Sequence, residues 1–294
     1  MPPACGIGSL RIVVDGLSFP ESPRWQGGAL WFSDIHGHRV YRLGPDGTAE
    51  IVIQLDDRAS GLGFFPDGSM LVVSMLDRCL IAVGADGVAR LHADLSQLSR
   101  HFINDMVVDS RGRAYIGSRN GGDPASKSDS LIIVDLDGVA RVAAADMVSP
   151  NGAVITPDGQ TLIVAETALG RLTRFAIASD GVLSDRKTLT EIPGHHIDGI
   201  CRDASGGFWA GGGMGGLLRI GADGTLLQVI EFPGRMVLAC SLGGPDGKTL
   251  FLATTSVSLL DNLAYIGFDR TRDAKVSSDG RIEAMTVETP TAEP

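Results

Sequence analysis

The sequence predicts an all-β fold, a six-bladed β-propeller in which every blade has four antiparallel strands. Three observations support this prediction: short strand-like segments recur, two series of turn signals interleave with them, and helical periodicity is nearly absent. The turn glycines of the first series are Gly68, Gly112, Gly159, Gly206 and Gly247, at spacings of 44, 47, 47 and 41 residues. A period of about 40–50 residues is typical of propeller blades.

Strand-like segments accompany each turn. Segments 69–75, 113–118, 160–166 and 248–255 are rich in β-branched or aromatic residues, and segment 25–34 supplies a further repeat. The second series consists of Asp-Gly pairs, a strong hairpin signal because both residues tolerate a positive φ. The six pairs are Asp46-Gly47, Asp86-Gly87, Asp137-Gly138, Asp180-Gly181, Asp223-Gly224 and Asp279-Gly280. Two phased turn series favour six four-stranded repeats over the alternative, an irregular β-sandwich.

Both ends of the chain also have the pattern of strands. We expect residues 10–16 and 281–288 to share one blade and close the ring, which removes the free sheet edges. The propeller is expected to occupy the whole chain as one domain, residues 1–294, with a short frayed tail over about 289–294.

The composition limits the functional classes. There are 25 Lys+Arg against 35 Asp+Glu, a net charge of −10, which argues against binding nucleic acid or an anionic membrane. No segment approaches the ~18 apolar residues of a membrane-spanning helix, and the N-terminus lacks a signal-peptide pattern. Four widely spaced cysteines form no CxxC pair and indicate thiols of a reducing compartment. We expect a cytoplasmic protein, monomeric or weakly homodimeric.

Oxygen-bearing side chains recur where the innermost strand of each blade begins. Eight residues before the turn glycines stand Ser60, Asn104, Asn151, Asp198 and Ala239, and Glu21 lies seven residues before Gly28. In a six-bladed propeller these positions all point at the central axis near one mouth of the channel. The alternative is that each Asn or Asp only caps a loop.

Two carboxylates in a narrow channel repel each other unless one is protonated or a cation lies between them. Two carboxylates and two amide oxygens suit one hard divalent cation, which favours Ca²⁺. No cysteine or histidine occupies these positions, which disfavours a structural zinc site. Mn²⁺, Mg²⁺, Zn²⁺ and Fe²⁺ remain open as catalytic ions, because three or four ligands leave room for water.

Six segments form an ordered signature through most of the chain. They are FPESPRW (19–25), LWFSDIHGHRVYRL (30–43), IND (103–105), SPNG (149–152), HIDGICRDASGGFWAG (196–211) and SLGGPDGKTLFLATT (241–255). Together they resemble the SMP-30/gluconolactonase/LRE family of six-bladed propellers. The resemblance implies metal-dependent lactone hydrolysis, with Glu21, Asn151 and Asp198 as metal ligands. It also implies that Asn104 contacts substrate or an ordered water, and that Asp198 is the catalytic base or acid.

One departure from the family concerns the substrate. Sugar-lactone members commonly carry an arginine two residues before the asparagine that matches Asn104, whereas this chain has Phe102. Together with Met214 and Met236, Phe102 predicts an apolar substrate pocket. The substrate is then expected to be a lactone or ester that is less polar than a sugar lactone. The expected substrate contacts are Asn104, Phe102, Arg100, His101, Arg119, Met214 and Met236. Loop 118–130 is a candidate lid, and His195 and His196 are candidate proton donors.

Other functions remain open at this stage. The same site suits a phosphotriesterase or a promiscuous esterase, and a propeller can also bind a ligand without turning it over. WD-type scaffold propellers carry Gly-His and Trp-Asp pairs in each blade, and this chain lacks that pattern.

Overall fold

A computed structural model of the chain describes residues 8–120, 127–258, 273 and 278–292. It confirms a propeller of six blades, each a sheet of four antiparallel strands. In chain order the strands are β1 (Arg11–Leu17), β2 (Pro20–Gln26), β3 (Ala29–Asp34), β4 (Arg39–Leu43), β5 (Ala49–Gln54), β6 (Ala59–Phe64), β7 (Met70–Ser74), β8 (Cys79–Val83), β9 (Ala89–Asp94), β10 (Phe102–Val108), β11 (Ala114–Arg119), β12 (Asp129–Val134), β13 (Ala140–Met147), β14 (Pro150–Ile155), β15 (Thr161–Glu166), β16 (Arg171–Ile177), β17 (Leu183–Glu191), β18 (Ile200–Arg202), β19 (Phe208–Gly211), β20 (Leu217–Ile220), β21 (Leu226–Ile230), β22 (Arg235–Gly243), β23 (Thr249–Ser256) and β24 (Gly280–Thr286). A 3₁₀ turn, Thr167–Leu169, follows β15.

The ring closes through the two ends of the chain, as the sequence predicts. Blades 1 to 5 are β2–β5, β6–β9, β10–β13, β14–β17 and β18–β21, each built from consecutive strands. Blade 6 has the order β22, β23, β24 and β1, with Arg11 of β1 opposite Ala284 of β24. This pairing of the N-terminal strand with the last strand removes an open edge from blade 6.

The turn glycines confirm the predicted hairpins, with one exception. Gly68, Gly112, Gly159, Gly206 and Gly247 have positive φ angles, and so do the glycines of the first five Asp-Gly pairs. The sixth pair, Asp279-Gly280, is not a hairpin, because Gly280 is the first residue of β24. No turn is needed there, since the outer strand of blade 6 comes from the N-terminal end of the chain.

The inner strands break their register where the axial side chains stand. Breaks fall between Glu21 and Arg24, Ala59 and Leu62, Ile103 and Met106, and Pro150 and Ala153. A β-bulge adds a residue to one strand and changes the direction of the side chains beside it. In blades 1 to 4 the bulges therefore turn the axial side chains in directions that a regular strand pairing would not allow.

Apolar side chains fill the space between neighbouring blades. Trp25 of blade 1 stacks on Phe251 of blade 6, with ring centroids 5.7 Å apart. None of the described residues belongs to a helix long and apolar enough to cross a membrane.

The predicted frayed tail is wrong for residues 290–292. The Ala204 N–H donates to the Pro290 carbonyl (3.0 Å), and the Thr291 N–H donates to the Gly247 carbonyl (2.9 Å). These bonds hold the chain against the turns of blades 5 and 6. The last two residues of the predicted tail, and residues 121–126 of the predicted lid, lie outside the described residues.

Candidate functional site

The structure brings the predicted axial residues together at one mouth of the channel. The Asn151 side-chain amide donates to Oδ1 of Asp198. The Ser60 hydroxyl donates to Oδ1 of Asn104 at 2.9 Å. Glu21, only 6% exposed, lies close enough to Asp198 for the two charges to interact. Blades 1 to 5 therefore all contribute a polar side chain to one small region.

The two axial carboxylates are poorly compensated by their protein surroundings. Burial, followed by the charges of Asp198 and Asp105, raises the pKa of Glu21 well above its ordinary value. The Ser22 N–H, which donates to Oε2 of Glu21 at 2.9 Å, opposes this shift only in part. Burial and the charge of Asp105 raise the pKa of Asp198 to about 7. A cation between the carboxylates would favour their charged forms.

Buried carboxylates fix the turns that lead into the inner strands. Asp34 accepts the N–H groups of Ser18 (3.0 Å) and Phe19 (2.6 Å), just before Glu21. Ahead of Asn151, Asp129 accepts the Ser149 N–H and Glu166 accepts the Val148 N–H, both at 2.8 Å. These bonds satisfy backbone donors that the ladder leaves free, and so position the residues that follow.

A cavity of about 280 Å³ opens beside the axial residues. Its walls are Phe102, Asn104, Arg119, Ser149, Pro150, Asn151, Thr167, Ala168 and His196. Three predicted substrate contacts, Asn104, Phe102 and Arg119, therefore line it. Ser149 and Thr167 were not predicted from the sequence, although the SPNG segment holds Ser149 two residues before Asn151.

The other predicted contacts are not among the residues that line this cavity. Met214 is 64% exposed in the turn between β19 and β20, whereas Met236 is 4% exposed and buried in β22. Arg100 and His101 are exposed residues ahead of β10, and the Arg100 N–H donates to the Asn120 side chain at 2.8 Å. Of the three residues expected to make the pocket apolar, Phe102 lines the cavity, where Pro150 and Ala168 are its apolar neighbours. His195 is not among the wall residues either, whereas His196 is.

An arginine reaches the cavity from β11, next to the phenylalanine of β10. Phe102 and Arg119 are directly opposite each other in the β10–β11 ladder. The Arg119 guanidinium lies over the Phe102 ring, 5.8 Å from its centroid, and donates to the Ser149 hydroxyl. Nε of Arg119 lies 3.5 Å from Oδ2 of Asp129. The wall therefore combines one aromatic face with a held cation, which suits a ligand with polar substituents.

Comparisons with known proteins agree with this geometry. A family profile described as "SMP-30/Gluconolactonase/LRE-like region" matches residues 19–256. A 6-deoxy-6-sulfogluconolactonase from Pseudomonas putida is 28% identical over 247 residues, covering 80% of this chain and 82% of that protein. A pentonolactonase from Haloferax volcanii is 28% identical over 270 residues, covering 90% of each chain. The solved structure of regucalcin from Agrobacterium tumefaciens, described as a calcium-binding protein, matches with a TM-score of 0.76 and 23% identity over 98% of both chains.

Proposed function

This chain belongs to the SMP-30/gluconolactonase/LRE family, and from that premise we propose that it hydrolyses a lactone to the corresponding hydroxy acid. The observation that supports this most is the meeting of Glu21, Asn151 and Asp198 beside an open cavity. The names of the two curated relatives, both lactonases, point to the same reaction.

The donor set fits one divalent cation. Glu21 and Asp198 have raised pKa values, caused first by burial and then by neighbouring negative charges, so their charged forms need an added positive charge. Glu21, Asn151 and Asp198 would hold the ion through oxygen atoms, a set that favours Ca²⁺. Regucalcin, a fold neighbour, is described as calcium-binding. When bound, the ion supplies Lewis acidity toward the lactone carbonyl.

Asp198 is the proposed general base and acid. The amide of Asn151 donates to its Oδ1, which fixes the direction of the carboxylate. Asp198 accepts a proton from the attacking water and returns it to the ring oxygen as the C–O bond breaks. Such a positioned group contributes typically about 10²–10⁴-fold to the rate.

Asn104 is the proposed contact for the reacting end of the substrate. Its Oδ1 accepts the Ser60 hydroxyl, so its NH₂ group is turned away from Ser60 and is free to donate to a substrate oxygen. A donor in this place helps to orient the lactone and stabilises negative charge that develops on oxygen.

Polar side chains in the cavity wall can bind a lactone that bears hydroxyl or other polar groups. Arg119, Ser149 and His196 line the cavity, whereas the two methionines of the sequence analysis do not. The apolar part of the wall is Phe102, Pro150 and Ala168, and beside these polar side chains we propose a sugar-type lactone. The printed names of the two curated relatives refer to lactones of sugar acids.

The decisive variant is Asp198→Asn, which keeps the shape and removes the base. We expect kcat on a sugar lactone to fall by about 10²–10⁴-fold in the presence of added divalent ion. The matched control is Asp158→Asn, an exposed aspartate in the turn between β14 and β15 at the opposite mouth, which should keep wild-type turnover.

Equal activity in Asp198→Asn and wild type would contradict the assignment. The same panel should include an alkyl lactone, an aryl ester and a phosphotriester. A preference for the phosphotriester would favour the alternative esterase function on the same site.

A further inference from the structure

The residue that follows each axial residue differs between blades in a way that breaks the sixfold pattern. Blades 2, 4 and 5 have glycine there, namely Gly61, Gly152 and Gly199, and these glycines lie against the next inner strand. Blades 1 and 3 have Ser22 and Asp105 instead. Both side chains are buried, with Ser22 0% and Asp105 3% exposed. The side chains of Ser22 and Asp105 therefore meet inside the channel, past Gly61 of the intervening blade 2.

Asp105 is held by three donors from two blades. Its Oδ1 accepts the Ser22 hydroxyl at 2.8 Å, the Met106 N–H at 2.8 Å and Nη2 of Arg24 at 2.7 Å. These three hydrogen bonds hold the Asp105 side chain in one position between blades 1 and 3.

Arg24 reaches this carboxylate from the opposite mouth of the channel. Its Nη2 also donates to the Met106 carbonyl at 2.8 Å, and its Nη1 donates to the Pro23 carbonyl at 3.0 Å. The side chain lines a separate cavity of about 170 Å³ at that mouth, opposite the candidate substrate cavity. The Arg24 side chain is 22% exposed, and its partly buried position weakens the screening of its charge by water.

These groups form one electrostatic unit with the axial carboxylates. The charge of Asp105 acts on both Glu21 and Asp198, and the charge of Arg24 acts on Glu21. Three carboxylates and one guanidinium leave a net charge of two negatives, the amount that one divalent ion neutralises. Without Arg24 the unit would carry a net charge of three negative charges, and without Asp105 it would carry one negative charge.

We propose that the partly buried Arg24–Asp105 pair sets the affinity of the axial site for its cation. Arg24 is the positioning residue, and it limits the negative charge around the axial site. This inference rests on the divalent-ion site of the proposed function. It is distinct from ion ligation, because neither Arg24 nor Asp105 belongs to the proposed ligand set.

The test is calcium binding by ion-stripped protein, measured by isothermal titration calorimetry at pH 8. Arg24→Met should bind Ca²⁺ about tenfold or more tightly than wild type, because one positive charge is lost. Asp105→Asn should bind Ca²⁺ about tenfold or more weakly, because one negative charge is lost. The double variant should return towards wild-type affinity.

Changes of Ca²⁺ affinity in opposite directions in Arg24→Met and Asp105→Asn separate a charge effect from damage to the fold. A purely structural role predicts that both single variants weaken binding, and that result would overturn the inference. Arg24→Lys keeps the charge and should keep wild-type affinity. The matched control is Arg202→Met, which lines the same opposite-mouth cavity and should bind Ca²⁺ like wild type. Equal affinities in Arg24→Met, Asp105→Asn and wild type would also contradict the inference.

The outcome also distinguishes this inference from the proposed function. Wild-type protein that binds no divalent ion would contradict the axial ion site itself. Wild-type protein that binds Ca²⁺, with both single variants weakened, would contradict only the role of the charge pair. Thermal unfolding of each ion-stripped variant identifies any that fail to fold, and Arg24→Gln or Asp105→Ser, which remove the same charges, then replace Arg24→Met or Asp105→Asn.

Discussion

Asp273, which lies outside the repeating pattern of the blades, joins three side chains from other blades. It lies in the connection between β23 and β24, yet it bonds to residues of blades 1 and 2. Its carboxylate lies 2.8 Å from Nδ1 of His36, 2.8 Å from Nε2 of His38 and 2.7 Å from Nη2 of Arg58. The side chains of Asp273 and Arg58 are 3% and 5% exposed. This ion cluster ties the long connection of blade 6 to the face that holds the axial site.

The cluster predicts a specific sensitivity to acid. Burial opposes the charge of Asp273, but hydrogen bonds from His36, His38 and Arg58 outweigh it and hold the pKa of this carboxyl well below its usual range. A carboxyl with a lowered pKa stabilises the fold above its unfolded pKa of about 3.9, and this contribution is lost as pH falls below that value. We therefore expect the thermal midpoint to drop as the pH falls from about 5 to about 2, and to drop less in Asp273→Asn.

The neutral-pH comparison is the control for this variant. At pH 7, Asp273→Asn should lower the free energy of unfolding by about 3–5 kcal/mol, because it leaves the buried guanidinium of Arg58 without its counter-charge. Equal acid sensitivity of the two proteins, measured by thermal unfolding across the pH series, would show that Asp273 does not supply this stability.

Among the elements, the inner strands decide where the axial side chains stand. Their positions follow from the sequence, because counting back from each turn glycine reaches Asn104, Asn151 and Asp198. The bulges beside these residues do not follow from the sequence. They arise where inner strands of neighbouring blades approach closely, a contact between segments more than 40 residues apart. Glycine after an axial residue is the signal that could have revealed this approach.

Gly152 tests the close approach of two inner strands. A Cβ atom at this position would lie 2.5 Å from the Asp198 carbonyl oxygen and 2.6 Å from the Ile200 nitrogen. Gly152→Ala must therefore push the backbone of Asp198 away, at a cost of about 1–3 kcal/mol. We expect lower stability together with weaker calcium binding and slower lactone turnover.

Gly159→Ala is the matched control in the same blade. Gly159 has a φ of +70° in the turn between β14 and β15, with no atom near the added Cβ. Alanine there costs about 1 kcal/mol through backbone strain, far from the axial site. Loss of stability without loss of calcium binding in Gly159→Ala, and loss of both in Gly152→Ala, is the expected pattern. Similar calcium binding in the two variants would contradict it.

For the whole molecule, the propeller ring explains both what the sequence predicts and what it does not. The ring repeats its geometry six times, so a periodic alignment is enough to find side chains that converge on the axis. Arg24, Asp105, Asp273 and Ser149 break that symmetry. Their partners lie in other blades at sequence separations of 30 to 237 residues, and no local pattern indicates such contacts. The fold, the axial set and part of the cavity wall were therefore predictable, whereas Ser149, Thr167 and the ion clusters were not.

The central claim is that one divalent ion on the axis, held by Glu21, Asn151 and Asp198, is required to open a lactone. The most direct measurement is hydrolysis of a sugar lactone by ion-stripped wild-type protein before and after Ca²⁺, Mn²⁺, Zn²⁺ or Fe²⁺ is added back. We predict turnover that falls to the uncatalysed rate on stripping and returns with added ion, at one ion per chain. Full turnover by stripped protein, with no gain from any ion, would contradict the claim.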